Sequence, residues 1–163
     1  KDMGLFSFIK NAGAKVFGIG KTTAEEAADK AVAVAAEAKL KASKLTNAVE
    51  TLGFEVLDLN IEVDGENATG WGQAASQATR EKVVLVIGNT EGIATVDDRM
   101  TVEVEEPAAQ FHTVVSGDYL SKIAKKYYGD AMKYPVIFEA NKPMLTDPDK
   151  IYPGQVLRIP ALD

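Results

Sequence analysis

Apolar residues recur at helical spacing through the first third of the chain. Ala38, Ala42, Leu45, Val49 and Leu52 are separated by four, three, four and three positions, the stripe of a helix with one buried face. Thr22 and Thr23 each stand three residues before a glutamate, Glu25 and Glu26, the capping box that opens a helix. Gly53 stands where such a helix closes. The period then changes. Leu57, Leu59, Ile61 and Val63 alternate with Asp58, Asn60 and Glu62, as in a strand with one buried face. Asp64-Gly65 predicts a type I′ hairpin turn that sends the chain back through Ala68 to Trp71. Ser76 is placed to cap a second helix reaching Ile87, with Gly88-Asn89 as its stop. Met100, Val102 and Val104 alternate as a third strand. The order α-β-β-α-β describes an α+β unit with helices laid on one sheet face.

Ahead of this unit, residues 3–20 carry Phe6, Phe8, Ile9, Val16 and Phe17 among glycines at 13, 18 and 20. Such spacing opposes a long helix and predicts a segment that staples onto the following domain. After it, residues 106–110 read as a polar, proline-containing linker. The composition then shifts, with five of the six prolines falling between Pro135 and Pro160. Residues 111–115 suit a strand, Ser116-Gly117-Asp118 a turn and cap, and residues 119–128 a helix stopped by Gly129. Residues 133–141 suit a second helix, and residues 155–159 a closing strand after the Pro153-Gly154 turn. The expected architecture is α+β in two small domains, residues 21–105 as α-β-β-α-β and residues 111–160 as β-α-α-β.

Composition removes much chemistry. The 163 residues contain no cysteine and a single histidine, His112, so thiolate metal sites, disulfides, cysteine nucleophiles and multi-histidine sites are excluded. Eighteen basic against 24 acidic residues leave a net charge of −6, which disfavours nucleic acid as a partner. There is no nucleophile–base pair, and Gly18-Ile19-Gly20-Lys21-Thr22 lacks the upstream glycine of a phosphate loop, so no enzymatic activity is expected. No apolar run is long enough to span a bilayer. Without disulfides or a secretory signal, a cytoplasmic monomer is expected. Asp97-Asp98 and Asp147-Pro148-Asp149 lack the spacing of a calcium loop and read as caps or solvated turns. His112 reads as a satisfied strand residue and Lys122, Lys125 and Lys126 as a solvated helix face.

The C-terminal pattern resembles a LysM domain, carried by Thr113-Val114, Ser116-Gly117-Asp118, Leu120, Ile123-Ala124, Tyr128-Gly129, Ile137, Ala140-Asn141, residues 151–155, Leu157 and Ile159-Pro160. The run LVIGNTEGIATVDD at residues 85–98 makes the first unit similar to a BON domain. A short N-terminal segment followed by BON and LysM resembles the bacterial cytoplasmic potassium-binding family, from which this chain departs in a longer, alanine-rich first helix. The resemblance implies an ion held by main-chain carbonyls of Ile9 and Ala12 in the N-terminal segment and of Gly88, Thr90 and Ile93 in the helix–strand turn. Potassium is the implied ion, with rubidium and caesium as candidate substitutes. Ion-dependent ordering of the two domains would make the protein a sensor. Carbonyls replace the hydration shell of potassium, and a helix C-terminus favours a cation. Of the five positions Gly88 is expected to be the most sensitive, if its backbone has positive φ. LysM domains elsewhere bind N-acetylglucosamine polymers such as peptidoglycan. That alternative would place Gly117, Asp118, Tyr119, Asn141 and Ile151 along a glycan groove, although Tyr119 replaces the threonine common there. A protein partner through LysM is also compatible with the resemblance.

Overall fold

The computed structural model describes residues 4–8 and 30–162. In chain order the elements are β1 (Gly4–Ser7), α1 (Lys30–Thr51), β2 (Val56–Asp64), β3 (Asn67–Ala74), α2 (Gln77–Gly88), β4 (Thr95–Asp98) and β5 (Thr101–Val102). They are followed by β6 (Gln110–Thr113), α3 (Leu120–Tyr128), a short 3-10 turn, α4 (Tyr134–Ala140) and β7 (Val156–Ile159). Helices and strands are mixed as an α+β fold requires. Thr22, Thr23 and their capping glutamates lie outside the described residues.

The apolar stripe of α1 faces inward as its spacing predicts, with Leu45 and Val49 fully buried. Gly53 closes the helix region at φ +87, a conformation that glycine adopts without steric penalty. Among the described residues one sheet runs in the order β1-β4-β3-β2, and β5 pairs with β3. β2 and β3 form an antiparallel hairpin, whereas β3 and β4 are parallel. Parallel pairing needs a crossover, and α2 supplies it. Ser76 caps α2 as expected, its hydroxyl accepting from the Thr79 N–H at 3.1 Å.

Three local expectations change. Register pairs Asp64 with Asn67, so the hairpin loop is Gly65-Glu66. Of these only Gly65 has positive φ, +64, which is incompatible with the type I′ turn expected at Asp64-Gly65, because that turn needs positive φ at both central residues. In β2 the register slips between Leu57 and Asn60, where Asp58 sits at φ 54. Two residues there oppose Gly72, the arrangement of a β-bulge. The extra residue turns Leu57 outward, 65% exposed, and leaves Leu59, Ile61 and Val63 inward. Gly72 is required at this crossing: a Cβ there would stand 2.7 Å from Val56 Cγ1. Lastly, the third strand is Thr95–Asp98 and not the alternation at Met100, Val102 and Val104. The Asp98 carboxylate accepts the Met100 N–H at 2.9 Å, breaking the ladder before only the two-residue β5 resumes it.

The C-terminal unit is built on the antiparallel pair β6–β7, which includes Gln110 opposite Ile159. Gln110 therefore belongs to a strand and not to the linker. Gly129 ends α3 in the left-handed conformation, φ 76. The two units share a continuous apolar core. At their junction Phe6 of β1 meets Phe111 of β6 with ring centroids 5.3 Å apart. Glu81 of α2 binds both Arg158 of β7 at 2.6 Å and the Ala109 N–H at 2.9 Å.

Candidate functional site

The second half of α2 is almost entirely apolar: Val83, Val84, Leu85, Val86 and Ile87 are all buried. Its C-terminus is consequently delivered into the interior, where unpaired carbonyls must find partners. Several do so locally. The Asn89 N–H donates to Leu85 O at 2.9 Å and the Thr90 N–H to Ile87 O at 3.2 Å. The Thr90 hydroxyl donates to Val86 O at 2.7 Å. The chain then turns through Gly92 at φ +90, and the Ile93 N–H donates to Thr90 O at 3.2 Å. Among the described residues the carbonyls of Gly88 and Ile93 accept no backbone hydrogen bond. Asn89, Thr90 and Ile93 are each at most 2% exposed.

Gly88, Thr90 and Ile93 thus lie together in one buried turn at the negative end of a helix dipole. Ile9 and Ala12 lie outside the described residues. The first segment still contributes: the Phe8 N–H donates to Ala94 O at 2.7 Å, and its ring lies over Gly88. β1 therefore carries the chain onto this turn one residue before Ile9. Gly88 itself has ordinary helical backbone and not the positive φ expected of it; the positive-φ glycine of the turn is Gly92. Gly88 is instead required by close approach, because a Cβ there would overlap Cζ and both Cε atoms of Phe8. Phe8 was not among the expected site residues. Its signal, an apolar residue two places after Phe6, is shared by any strand.

The chemistry on offer here is that of neutral carbonyl oxygens. Among the described residues no three histidine, aspartate or glutamate side chains come together as metal ligands. A turn of carbonyls suits a large, weakly hydrated monovalent cation better than a small divalent one, which demands carboxylates or fixed octahedral geometry.

Asp98 does bond its own backbone, at the Met100 N–H, but it and Arg80 are not solvated. They form a buried ion pair at 2.8 Å. Asp149, by contrast, takes the expected turn, its N–H donating to Asp147 Oδ1 at 2.8 Å.

The residues placed on a glycan groove divide. Gly117 (φ +90) and Tyr119 (57% exposed) are at the surface, and Ile151 is half-buried. Asn141 is only 1% exposed, with its carboxamide bonded to Ile137 O and to both backbone groups of Arg158. It holds β7 and does not face a groove. Asp118 does not cap α3, whose N-cap is Tyr119 without a side-chain bond. The Asp118 carboxylate bonds His112 Nε2 and the Val115 N–H, each at 3.0 Å, while His112 Nδ1 meets the Tyr127 hydroxyl at 3.0 Å.

Burial opposes the Asp118 charge, but the bonds from His112 and the Val115 N–H outweigh it and hold the carboxyl below the usual carboxylate range. A depressed folded pKa stabilises the fold above the unfolded value of about 3.9 and is lost as pH falls through the folded one. Asp118→Asn is therefore expected to lower stability at pH 7, with the gap to wild type closing below about pH 4. Urea unfolding at both pH values checks this, and a gap that stays constant would contradict it.

Comparison with known proteins fits this architecture. Residues 112–160 match the LysM domain family, which defines the class of the unit built on β6 and β7. The whole chain belongs to the family of the Potassium binding protein Kbp of Escherichia coli O6:H1 (strain CFT073): the two are 44% identical over 159 residues, 97% of this chain and 99% of that protein. An uncharacterized protein of Deinococcus radiodurans is 50% identical over 57 residues, 35% of this chain and 22% of its own. An esterase of Mycobacterium tuberculosis (strain H37Rv) is 50% identical over 48 residues, 29% of this chain and 10% of its own. These two short matches carry nothing of those proteins' wider properties.

Proposed function

We propose that this chain is a non-enzymatic, cytoplasmic potassium-ion binder that acts as a monomeric sensor. The observation that carries the reading is its relation, across nearly its whole length, to a protein named for binding potassium. The buried turn after α2 supplies fitting chemistry. Carbonyls of Gly88, Thr90 and Ile93, from a BON-like domain, are joined by those of Ile9 and Ala12 to replace the hydration shell of the ion. Side chains at these positions matter little to ligation. Rubidium and caesium carry the same charge on larger ions and are expected to substitute in part. An ion that binds one arrangement of the two units better than another shifts their populations, and so reports its own concentration.

Thermal unfolding in potassium chloride against sodium chloride at matched ionic strength tests this. A ligand at about one hundred times its Kd adds about 2.7 kcal/mol, several degrees in a chain of this size. A rise in potassium alone is expected. Coincident curves across a wide concentration range would remove the reading.

The LysM match favours a second reading, a peptidoglycan-binding module using the exposed Gly117 and Tyr119. The commitment of Asp118 and Asn141 to internal bonds weakens it. Retention of the chain on insoluble peptidoglycan would support this alternative, and free passage would sink it.

A further inference from the structure

The outer edge of β7 is held by two asparagine side chains in the same way. The inner edge faces β6, with the Val114 N–H donating to Gln155 O at 2.8 Å. The outer edge presents the N–H and C=O of Val156 and of Arg158. Asn141 takes Arg158, accepting its N–H at 2.7 Å and donating to its carbonyl at 2.9 Å. Asn89 takes Val156 by the same pairing, accepting at 2.9 Å and donating at 3.0 Å. A carboxamide offers a donor and an acceptor side by side, so each side chain replaces one residue of an absent neighbouring strand. Asn141 belongs to the C-terminal unit itself. Asn89 comes from the turn after α2, between Gly88 and Thr90.

We propose that Asn89 is the latch through which the 88–93 turn holds the LysM domain, so that occupancy of the turn is transmitted as docking of β7. The proposal rests on the potassium reading and names the residue that conveys it. The physical link is short. Orienting the Gly88 carbonyl toward an ion fixes the peptide plane that ends at the Asn89 Cα, and the Asn89 φ of −82 sets the Cα–Cβ bond relative to that plane. Two side-chain torsions then separate the ion site from Val156. At 2% exposure, and with Nδ2 also 3.5 Å from Met144 Sδ, the carboxamide is enclosed. Among the described residues, the ties of Glu81 to Arg158 and to the Ala109 N–H, and of Phe6 to Phe111, do not arise from the turn. They hold the units together whether or not the turn is ordered.

Coupling between two equilibria is reciprocal. If potassium strengthens the latch, the latch strengthens potassium binding by the same factor, here expected to be about tenfold, within the usual range for coupled sites. The test uses the full chain as wild type, Asn89→Ala, Asn89→Asp and Arg158→Gln. Calorimetric titration with potassium chloride reads binding. NMR amide exchange at Val156, in potassium and in sodium chloride, reads docking, with the Arg158 amide of the first three proteins as an internal reference held by Asn141. In wild type, potassium is expected to slow Val156 exchange about tenfold and to leave Arg158 little changed. Asn89→Ala should still bind potassium, about tenfold more weakly, and its Val156 exchange should no longer distinguish the two salts. Asn89→Asp keeps the acceptor but loses the donor, so its response should be reduced; it carries the test if the alanine variant does not fold. Arg158→Gln should speed Val156 exchange in both salts while preserving their ratio. Wild-type affinity with an undiminished salt response in the Asn89 variants would overturn the latch. If wild type binds potassium but Val156 exchanges equally in both salts, the latch fails and the potassium reading stands. If wild type binds no potassium, both fall.

Discussion

Gly88→Ala is expected to destabilise the chain by about 1–3 kcal/mol, the usual penalty for overpacking a core, and to abolish potassium binding. Nothing in the Gly88 backbone demands glycine, since its φ lies outside the positive range. Alanine is even the better helix former, by about 1 kcal/mol. The obstacle is Phe8, whose ring occupies the space a Cβ would need. Phe8 is 9% exposed and tied through its N–H to Ala94 O, so the buried ring must take a new rotamer or the end of β1 must shift. Either change would disturb the segment that is proposed to complete the ion site. A double-mutant cycle separates this cause from backbone strain. In a Phe8→Ala background, Gly88→Ala should be neutral or stabilising; a penalty that persists unchanged there would show that contact with Phe8 is not the reason for glycine.

Arg80→Met is expected to have the largest effect on stability at neutral pH, about 3–5 kcal/mol, because it leaves a buried carboxylate without its cation. Arg80 and Asp98 are 7% and 5% exposed at the side chain. Burial pushes the Asp98 carboxyl above the usual range, while the Met100 N–H and the Arg80 charge and hydrogen bond pull it back down. Removing Arg80 leaves burial less opposed and raises the folded pKa further. A raised folded pKa in an acid means that the folded state takes up the proton first, so stability is regained as pH falls through that pKa toward the unfolded value of about 3.9. The deficit of Arg80→Met should therefore narrow between pH 7 and about pH 4. Urea unfolding across that range checks it, and a deficit independent of pH would show that Arg80 serves something other than the Asp98 charge.

Periodicity made the fold largely legible. Leu45 and Val49 point inward because a 3.6-residue period leaves them no other face, and Ser76 caps α2 because a hydroxyl before an apolar run has that local use. Gly53 and Gly129 were readable as stops for the same reason. Interruptions of period were not readable. The bulge at Asp58 turns Leu57 outward through a register slip, and the early end of β4 depends on a carboxylate that bonds Met100 and Arg80 at once. The first is set by the register with β3 and the second in part by Arg80, both distant in sequence.

The candidate site was legible only through resemblance, since carbonyl ligands leave no trace in side-chain identity. Gly88 was singled out for a positive φ, whereas its backbone is helical and the constraint on it is the Phe8 ring. Asn89 was read as part of a helix stop because nothing local reveals a bond to Val156, 67 positions later. Asp118 and Asn141 invite a ligand role by type and location, yet their polar atoms are used to hold β6, β7 and the turn between β6 and α3.

If the carbonyls of the turn after α2 bind potassium, carbonyl carbon NMR of the full chain reads it most directly. On titration with potassium chloride at constant ionic strength, the carbonyl carbons of Gly88, Thr90 and Ile93 should shift together and saturate, with sodium producing no such change. Saturable shifts confined to residues away from this turn, or identical responses to both salts, would contradict the account.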